Sequence, residues 1–222
     1  IRGSFRPVTK VNIEMITLGY KQFLEERKVD KDKMQILFEI TLNNLSAEGE
    51  IDEQDFLDRA DILCSLGQTV LVSNYQEYYK LAQYLSQFSK ERMGLIMGVP
   101  NLLEIFSDKY YRNLDGGILQ AFGILHQRDI KIYLYPMQET ETSTLITSKN
   151  LTVHPRIKTL FDALTFNRRI VDLEGHTPEY LQIWSQKVLS MIRTGEDGWE
   201  ELVTTYVDNI IKDKGLFGCR KT

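Results

Sequence analysis

The stretch DILCSLGQTVLVSNYQEYYK, residues 61–80, decides the fold class. An amphipathic helical segment ends at Gly67, a residue suited to the left-handed turn that closes a helix. Thr69–Val72 is then a short, apolar, β-branched run of the kind that forms a buried strand, and Ser73 and Asn74 end it. Tyr75, Tyr78, Tyr79 and Leu81 follow at helical spacing. Helix, buried strand, polar turn and helix is the repeating unit of a parallel α/β sheet. Ser73 and Asn74 lie at the carboxyl end of the strand, where open α/β sheets bind ligands.

Toward the N-terminus, apolar residues between Val11 and Arg27 keep helical spacing after a basic lead-in containing Arg2, Arg6 and Lys10. Met34–Leu42 reads as another strand, interrupted by Glu39 and ended by Asn43 and Asn44. A carboxylate in a central strand is either on a wet edge or functional, because burying it unpaired is costly. Asp52–Leu66 is a helix with acids in its first turn, and Cys64 on its apolar side reads as a small buried hydrophobe.

Toward the C-terminus, the tyrosine-rich helix ends near Phe88, and Met93–Val99 and Ile130–Tyr135 are apolar strands. Leu102–Phe106 and Ile118–His126 are helical, with Gly123 permitting close packing. Residues 138–150 are rich in Thr, Ser and Glu without periodicity and read as a mobile loop. Beyond them come helices at Pro155–Phe166, Pro178–Ile192 and Trp199–Ile211, with a short strand at Ile170–Leu173. The expected architecture is α/β: a mainly parallel, Rossmann-like sheet with helices on both faces (1–137), a flexible loop (138–150), and a mostly helical C-terminal segment (151–222) packed on the sheet domain.

With 222 residues, 42% hydrophobic and 26% charged, the chain has the composition of a globular domain that needs no disulfide or metal staple. Its net charge of −4 argues against nucleic-acid binding as the main function. Cys64 and Cys219 are far apart and form no CxxC, a pattern that fits a reducing cytoplasm. No apolar run approaches membrane-spanning length. The chain begins at Ile1 and reads like the interior of a longer polypeptide.

The two commonest phosphate-binding signatures, GxGxxG and GxxxxGK[ST], are absent, as are HExxH and GxSxG. His126, His154 and His176 are too far apart for a local metal motif, so no metal ligand is assigned. The run Leu-Val-Ser-Asn (71–74) resembles the second motif of haloacid-dehalogenase phosphatases, but the preceding strand, Phe38–Leu42, lacks their DxD. Asp115, Gly116 and Gly117 before a helix are suited to presenting backbone N–H groups to a phosphate. A tight turn explains them equally well. Tyr110 and Tyr111 between Lys109 and Arg112 suit a base and its phosphate, or a loop anchor.

Five runs form a familiar set: residues 4–12 (SFRPVTKVN), 72–79 (VSNYQEYY), 98–106 (GVPNLLEIF), 109–119 (KYYRNLDGGIL) and 215–218 (GLFG). Together the set resembles the C-terminal half of bacterial proteins identified as nicotinate- or nicotinamide-nucleotide adenylyltransferases. The resemblance implies a nucleotidyltransferase-like enzyme of NAD metabolism. The HxGH and the Ser/Thr-rich segment ending in Arg that carry that chemistry are absent here, so no catalytic residue is carried over.

The expected pocket therefore lies at the strands' carboxyl ends, lined by Asn43, Asn44, Ser73, Asn74, Pro100, Asn101 and Tyr135, with 110–117 as a lid. Its ligand is a nucleotide or small phosphorylated metabolite, with Mg²⁺ as the accompanying ion. Ser73, Asn74, Gly116 and Gly117 would hold phosphate, Lys109, Tyr110 and Arg112 would complete the contacts, and Glu39 and Asp115 are the acid/base candidates. The alternative is a non-catalytic ligand-binding or assembly domain, joined to the rest of a longer polypeptide or to copies of itself.

Overall fold

A computed structural model describes residues 1–42, 53–127 and 129–219. In chain order the elements are α1 (Lys10–Leu24), β1 (Leu37–Thr41), α2 (Glu53–Ser65), β2 (Thr69–Ser73), α3 (Tyr78–Leu85), β3 (Met93–Gly98), α4 (Val99–Ile105) and α5 (Gly117–Leu125). Then follow β4 (Ile130–Tyr135), β5 (Met137–Gln138), β6 (Leu145–Ile146), α6 (Pro155–Phe166), β7 (Ile170–Asp172), α7 (Ser185–Thr194) and α8 (Thr205–Lys214). The fold is α/β with parallel strands, as the sequence implies. Among the described residues no helix is long and apolar enough to cross a membrane.

The strands do not join one sheet. Two compact units divide them: Ile1–Thr17, Lys33–Asn74 and Thr177–Thr222 in the first, Leu18–Asp32 and Tyr75–His176 in the second. The units interleave along the chain, whereas composition marks a single break at 138–150. Apolar runs announce strands but carry no information about which strand pairs with which.

In the first unit β1 pairs in parallel with β2, and a bridge at Arg2 and Glu39 lays the N-terminal segment along the other side of β1. Phe5, Phe38, Ile40, Ile62 and Leu63 pack with Val188, Ile192, Trp199, Val207 and Ile211 of the C-terminal segment. The helical pattern of 178–192 is broken: a 3₁₀ turn at Pro178–Gln182 gives way to extended Ile183 and Trp184 before α7 begins. Thr204 caps α8, its hydroxyl accepting from the Val207 N–H, and Gly195 and Gly215 in the left-handed region close α7 and α8. Two details reverse the sequence reading. Cys64 is exposed, because Ile62 and Leu63 take the buried face of α2 and the next residue turns away from it. Val72 is 44% exposed, so β2 is only partly covered.

In the second unit β3, β4 and β7 form a parallel sheet in the order β3-β4-β7. Its core combines Met97, Ile132 and Leu134 with Leu102, Phe106, Phe122, Leu125, Ile157, Phe161 and Leu164. Residues 138–150 are not structureless. They carry the β5–β6 hairpin, and Ser148 donates from its N–H and hydroxyl to the Asp172 carboxylate, both at 2.7 Å. The polar residues that hid any periodicity supply these turn and capping bonds instead. Gly123 faces open space, so it serves no close contact. Close packing falls to Gly94 in β3, where an added Cβ would stand 2.9 Å from the Phe23 ring and 3.0 Å from that of Tyr133.

Gly94→Ala therefore overpacks this layer and should lower stability by roughly 1–3 kcal/mol, against a smaller gain from reduced unfolded-chain entropy. Urea unfolding checks this, and Phe23→Leu in the same chain should recover part of the loss. An unchanged midpoint for Gly94→Ala alone would show that the layer has slack.

Candidate functional site

The residues singled out from sequence fall into separate groups. In the first unit Glu39 and Ser73 do come together. The Glu39 carboxylate is 3% exposed, receives the Arg2 guanidinium through Nε and through Nη2 at 2.9 Å, and accepts from the Ser73 hydroxyl. The Glu39 backbone also bonds Ile1 and Gly3. Every one of these contacts ties the N-terminal segment and β2 to β1, so the buried acid is paired, as its desolvation demands. Asn74 is exposed beside Ser73, and Asn43 and Asn44 lie outside the described residues.

The remaining candidates belong to the second unit. Lys109 and Tyr110 both engage Glu104, and the Lys109 ammonium stands 4.7 Å from the Tyr110 ring centroid. Tyr111 is buried, donates to the Ile105 carbonyl, and packs its ring near Tyr79 and Phe122, which makes it the anchor of the loop. The Gly116 N–H donates to the Gln120 side chain at 2.9 Å and the Gly117 N–H to the Leu114 carbonyl at 2.9 Å, so both amides are engaged within the loop. Asn101, Arg112 and Asp115 are exposed. Pro100 opens α4, and Tyr135 ends β4. Among the described residues no group of three His, Cys, Asp or Glu side chains is arranged to hold a metal ion.

A different region of the second unit forms a cleft of about 610 Å³. It opens at the amino ends of the parallel strands, opposite to the expected edge. Arg92 precedes β3, Asp129 and Lys131 flank the first residue of β4, and Arg169 precedes β7. Leu119, Phe122 and Gly123 of α5 form one wall, with His126 at the helix end. Leu160, Ala163 and Leu164 of α6 form the other, with Asn167 and Arg168 following. The side chain that Gly123 lacks leaves its wall open.

An ion-pair chain underlies this floor. Glu26, two residues beyond α1, receives Lys131, Arg92 at 2.5 Å and the Tyr133 hydroxyl at 3.2 Å. Arg92 also reaches Asp129 at 2.5 Å, and Arg169 reaches the same carboxylate at 3.1 Å. Burial acts to raise the Glu26 pKa, but the hydrogen bond and charge of Lys131, with Tyr133 and Arg92, outweigh it and hold the carboxyl below the usual range. Asp129 behaves alike: burial opposes ionisation, and Arg92 and Arg169 overcome it. Burial lowers the His126 pKa, assisted by Arg169 and opposed by the bond to Ile130. The sequence signal for this cleft was present as basic residues at the starts of three strands. The carboxyl-end rule for open α/β sheets directed attention to the other edge.

No family model matches this chain, and comparisons with curated proteins and with solved structures give no match either. The functional reading accordingly rests on residues and geometry.

Because the Glu26 carboxyl is depressed in the folded state, its contribution to stability is present above its unfolded pKa of about 4.3 and is lost as pH falls through the lower folded value. Glu26→Gln should therefore cost roughly 1–3 kcal/mol at pH 7, where it leaves Lys131 and Arg92 under-paired. The gap between variant and wild type should narrow as the pH drops below about 4. Denaturant midpoints measured across pH test this, and a gap that stays constant with pH would remove Glu26 from the network.

Proposed function

We propose that this chain is the nucleotide- or phosphometabolite-binding α/β domain of a larger cytoplasmic enzyme, with the ligand in the cleft at the amino ends of β3, β4 and β7. One observation carries the reading. Four basic side chains and a single acid line the cleft, between walls that are largely apolar. A phosphate needs cationic, multiply donating partners, and an arginine fork supplies them. The body of a nucleotide needs apolar surface, and Leu119, Phe122, Leu160 and Leu164 provide it. Small-molecule pockets run from about 300 to 1,000 Å³, a range that includes this cleft.

Arg92, Lys131 and Arg169 in the lining are each held by Glu26 or Asp129, an arrangement that supports binding as the role of the cleft. In a nucleotidyltransferase-like enzyme of the kind the chain resembles, this domain would hold the ligand while other parts of the polypeptide supply the chemistry. Mg²⁺ would then enter on the ligand's phosphates. A second reading, an assembly domain, is favoured by the exposure of Leu119 at 67% and Phe166 at 87%. Single exposed apolar residues are common, however, and weigh less than a lined cleft.

Thermal shift against nucleoside mono- and triphosphates and phosphosugars, with and without Mg²⁺, tests the proposal. A ligand at a hundred times its Kd should add about 2.7 kcal/mol and raise the melting temperature. Arg168→Ala should abolish most of that rise and Ser73→Ala should leave it intact. A rise lost in Ser73→Ala alone would move the site to the first unit, and no rise with any ligand would overturn the proposal.

A further inference from the structure

We propose that Gly123 sets the specificity of the cleft, keeping open a slot beside the basic floor that takes a bulky apolar group carried by the phosphate. The ligand class is a phosphate ester of an apolar, ring-sized group, as against a hydroxyl-covered phosphosugar. This rests on the cleft being the ligand site.

A glycine within a helix lowers stability relative to alanine. Three circumstances account for one: a left-handed backbone, a neighbour too close for a Cβ, or a space that has to stay empty. Gly117, at the start of α5, has a φ of +54°, whereas Gly123 keeps helical backbone two residues before the last of that helix. A Cβ built on Gly123 meets no described atom within 4 Å, unlike one built on Gly94. The first two circumstances are thereby excluded. The third remains, because Gly123 is exposed and lines the cleft.

The walls show what the space accepts. Leu119, Phe122 and Gly123 stand at i, i+3 and i+4 and form one stripe of α5, and Leu160, Ala163 and Leu164 repeat the spacing on α6. Each stripe sets one minimal residue, Gly123 or Ala163, among large apolar ones. Both small residues lie within the last turn of their helices, the end that meets the floor of strand-start cations. A group joined directly to a phosphate on that floor therefore lies at their level. Among the described residues neither stripe carries a polar side chain, so a sugar placed there loses water from its hydroxyls without gaining partners. An apolar group instead covers Leu119, which is large and exposed one turn before Gly123.

Titration calorimetry with methyl phosphate, phenyl phosphate and glucose 6-phosphate tests the slot. Phenyl phosphate should bind wild type about tenfold more tightly than methyl phosphate, and glucose 6-phosphate should stay within about threefold of methyl phosphate. Gly123→Leu fills the slot and should cut the phenyl preference to less than about twofold, the loss falling on phenyl phosphate. Gly123→Ala should reduce the preference by a smaller factor while raising the melting temperature of the free protein by about 2–4 °C, and it serves alone if Gly123→Leu fails to fold. Equal affinity of wild type for methyl and phenyl phosphate, or a phenyl preference unchanged in the variants, overturns the inference and leaves the cleft as a general phosphate site. Glucose 6-phosphate binding as tightly as phenyl phosphate does the same. A lowered melting temperature in Gly123→Ala also overturns it, because the fold itself would then require the glycine. No binding of any of the three, together with no thermal shift from any nucleotide, overturns both the inference and the reading it rests on.

Discussion

A single partly buried carboxylate holds the floor of the second unit together. Glu26 gathers Lys131 from β4, Arg92 from the approach to β3, and the Tyr133 hydroxyl from β4. Through Arg92 the chain continues to Asp129 and from there to Arg169, which leads into β7. Parallel strands bring their amino ends to one edge, and each of these strands begins at or beside a charged residue. Left unpaired, three cations on one edge would repel one another. Two acids between them turn that repulsion into a stitch that also sets where the cleft can form.

The same logic distinguishes the ionic groups of the first unit. There Arg2 closes on Glu39, and Arg6 and the 1% exposed Arg59 close on Asp55. Asp58, also buried, accepts from the Phe217 N–H at 2.6 Å. These acids are within 5% of full burial, and each has at least one partner distant in sequence. Removing one partner from such a pair leaves a charge without solvent, so the pairs enforce specific packing more than they add net stability. Glu39 was conspicuous in the sequence because a carboxylate interrupted an apolar strand. Its partner, Arg2, was not conspicuous, because three basic residues ahead of a helix look like solvated charge until the bridge beside β1 brings one of them in.

Elements whose signals are local could be read from the chain, and those that depend on partners could not. The β-branched run at 69–72, the stop at Gly67 and the apolar runs at 93–99 and 130–135 announce β2, β3 and β4 to within a residue or two. Nothing in those runs separates β1 and β2 from β3, β4 and β7. One residue of helical phase, about 100° of rotation, separates exposed Cys64 from the buried Leu63 before it. Leu119, Phe122 and Leu125 around it mark Gly123 as a packing glycine in the sequence, yet it borders open space. Residues 109–117 are polar and glycine-bearing and lead into α5. Their donors turn inward, to Glu104, Gln120 and Leu114, a property of loop closure that composition does not carry.

The contrast between the units bears on where a ligand can go. A binding site needs polar groups that the fold has positioned but not consumed. At Glu39 and at Asp55 the ions are enclosed and matched by the protein itself. At the 109–117 loop the donors close on neighbouring acceptors within the loop, α4 and α5. At the amino ends of β3, β4 and β7 the acids balance Arg92, Lys131 and Arg169, and Arg168 is then in excess at a cleft with two apolar helix walls. An anion entering there meets an arginine that need not abandon an existing partner, so little of its binding energy is lost to breaking the network beneath. Any anion entering at Glu39 would have to displace a buried carboxylate from Arg2 first. The charge balance therefore favours the amino edge of the second unit, even though the strand-end rule points to the other edge.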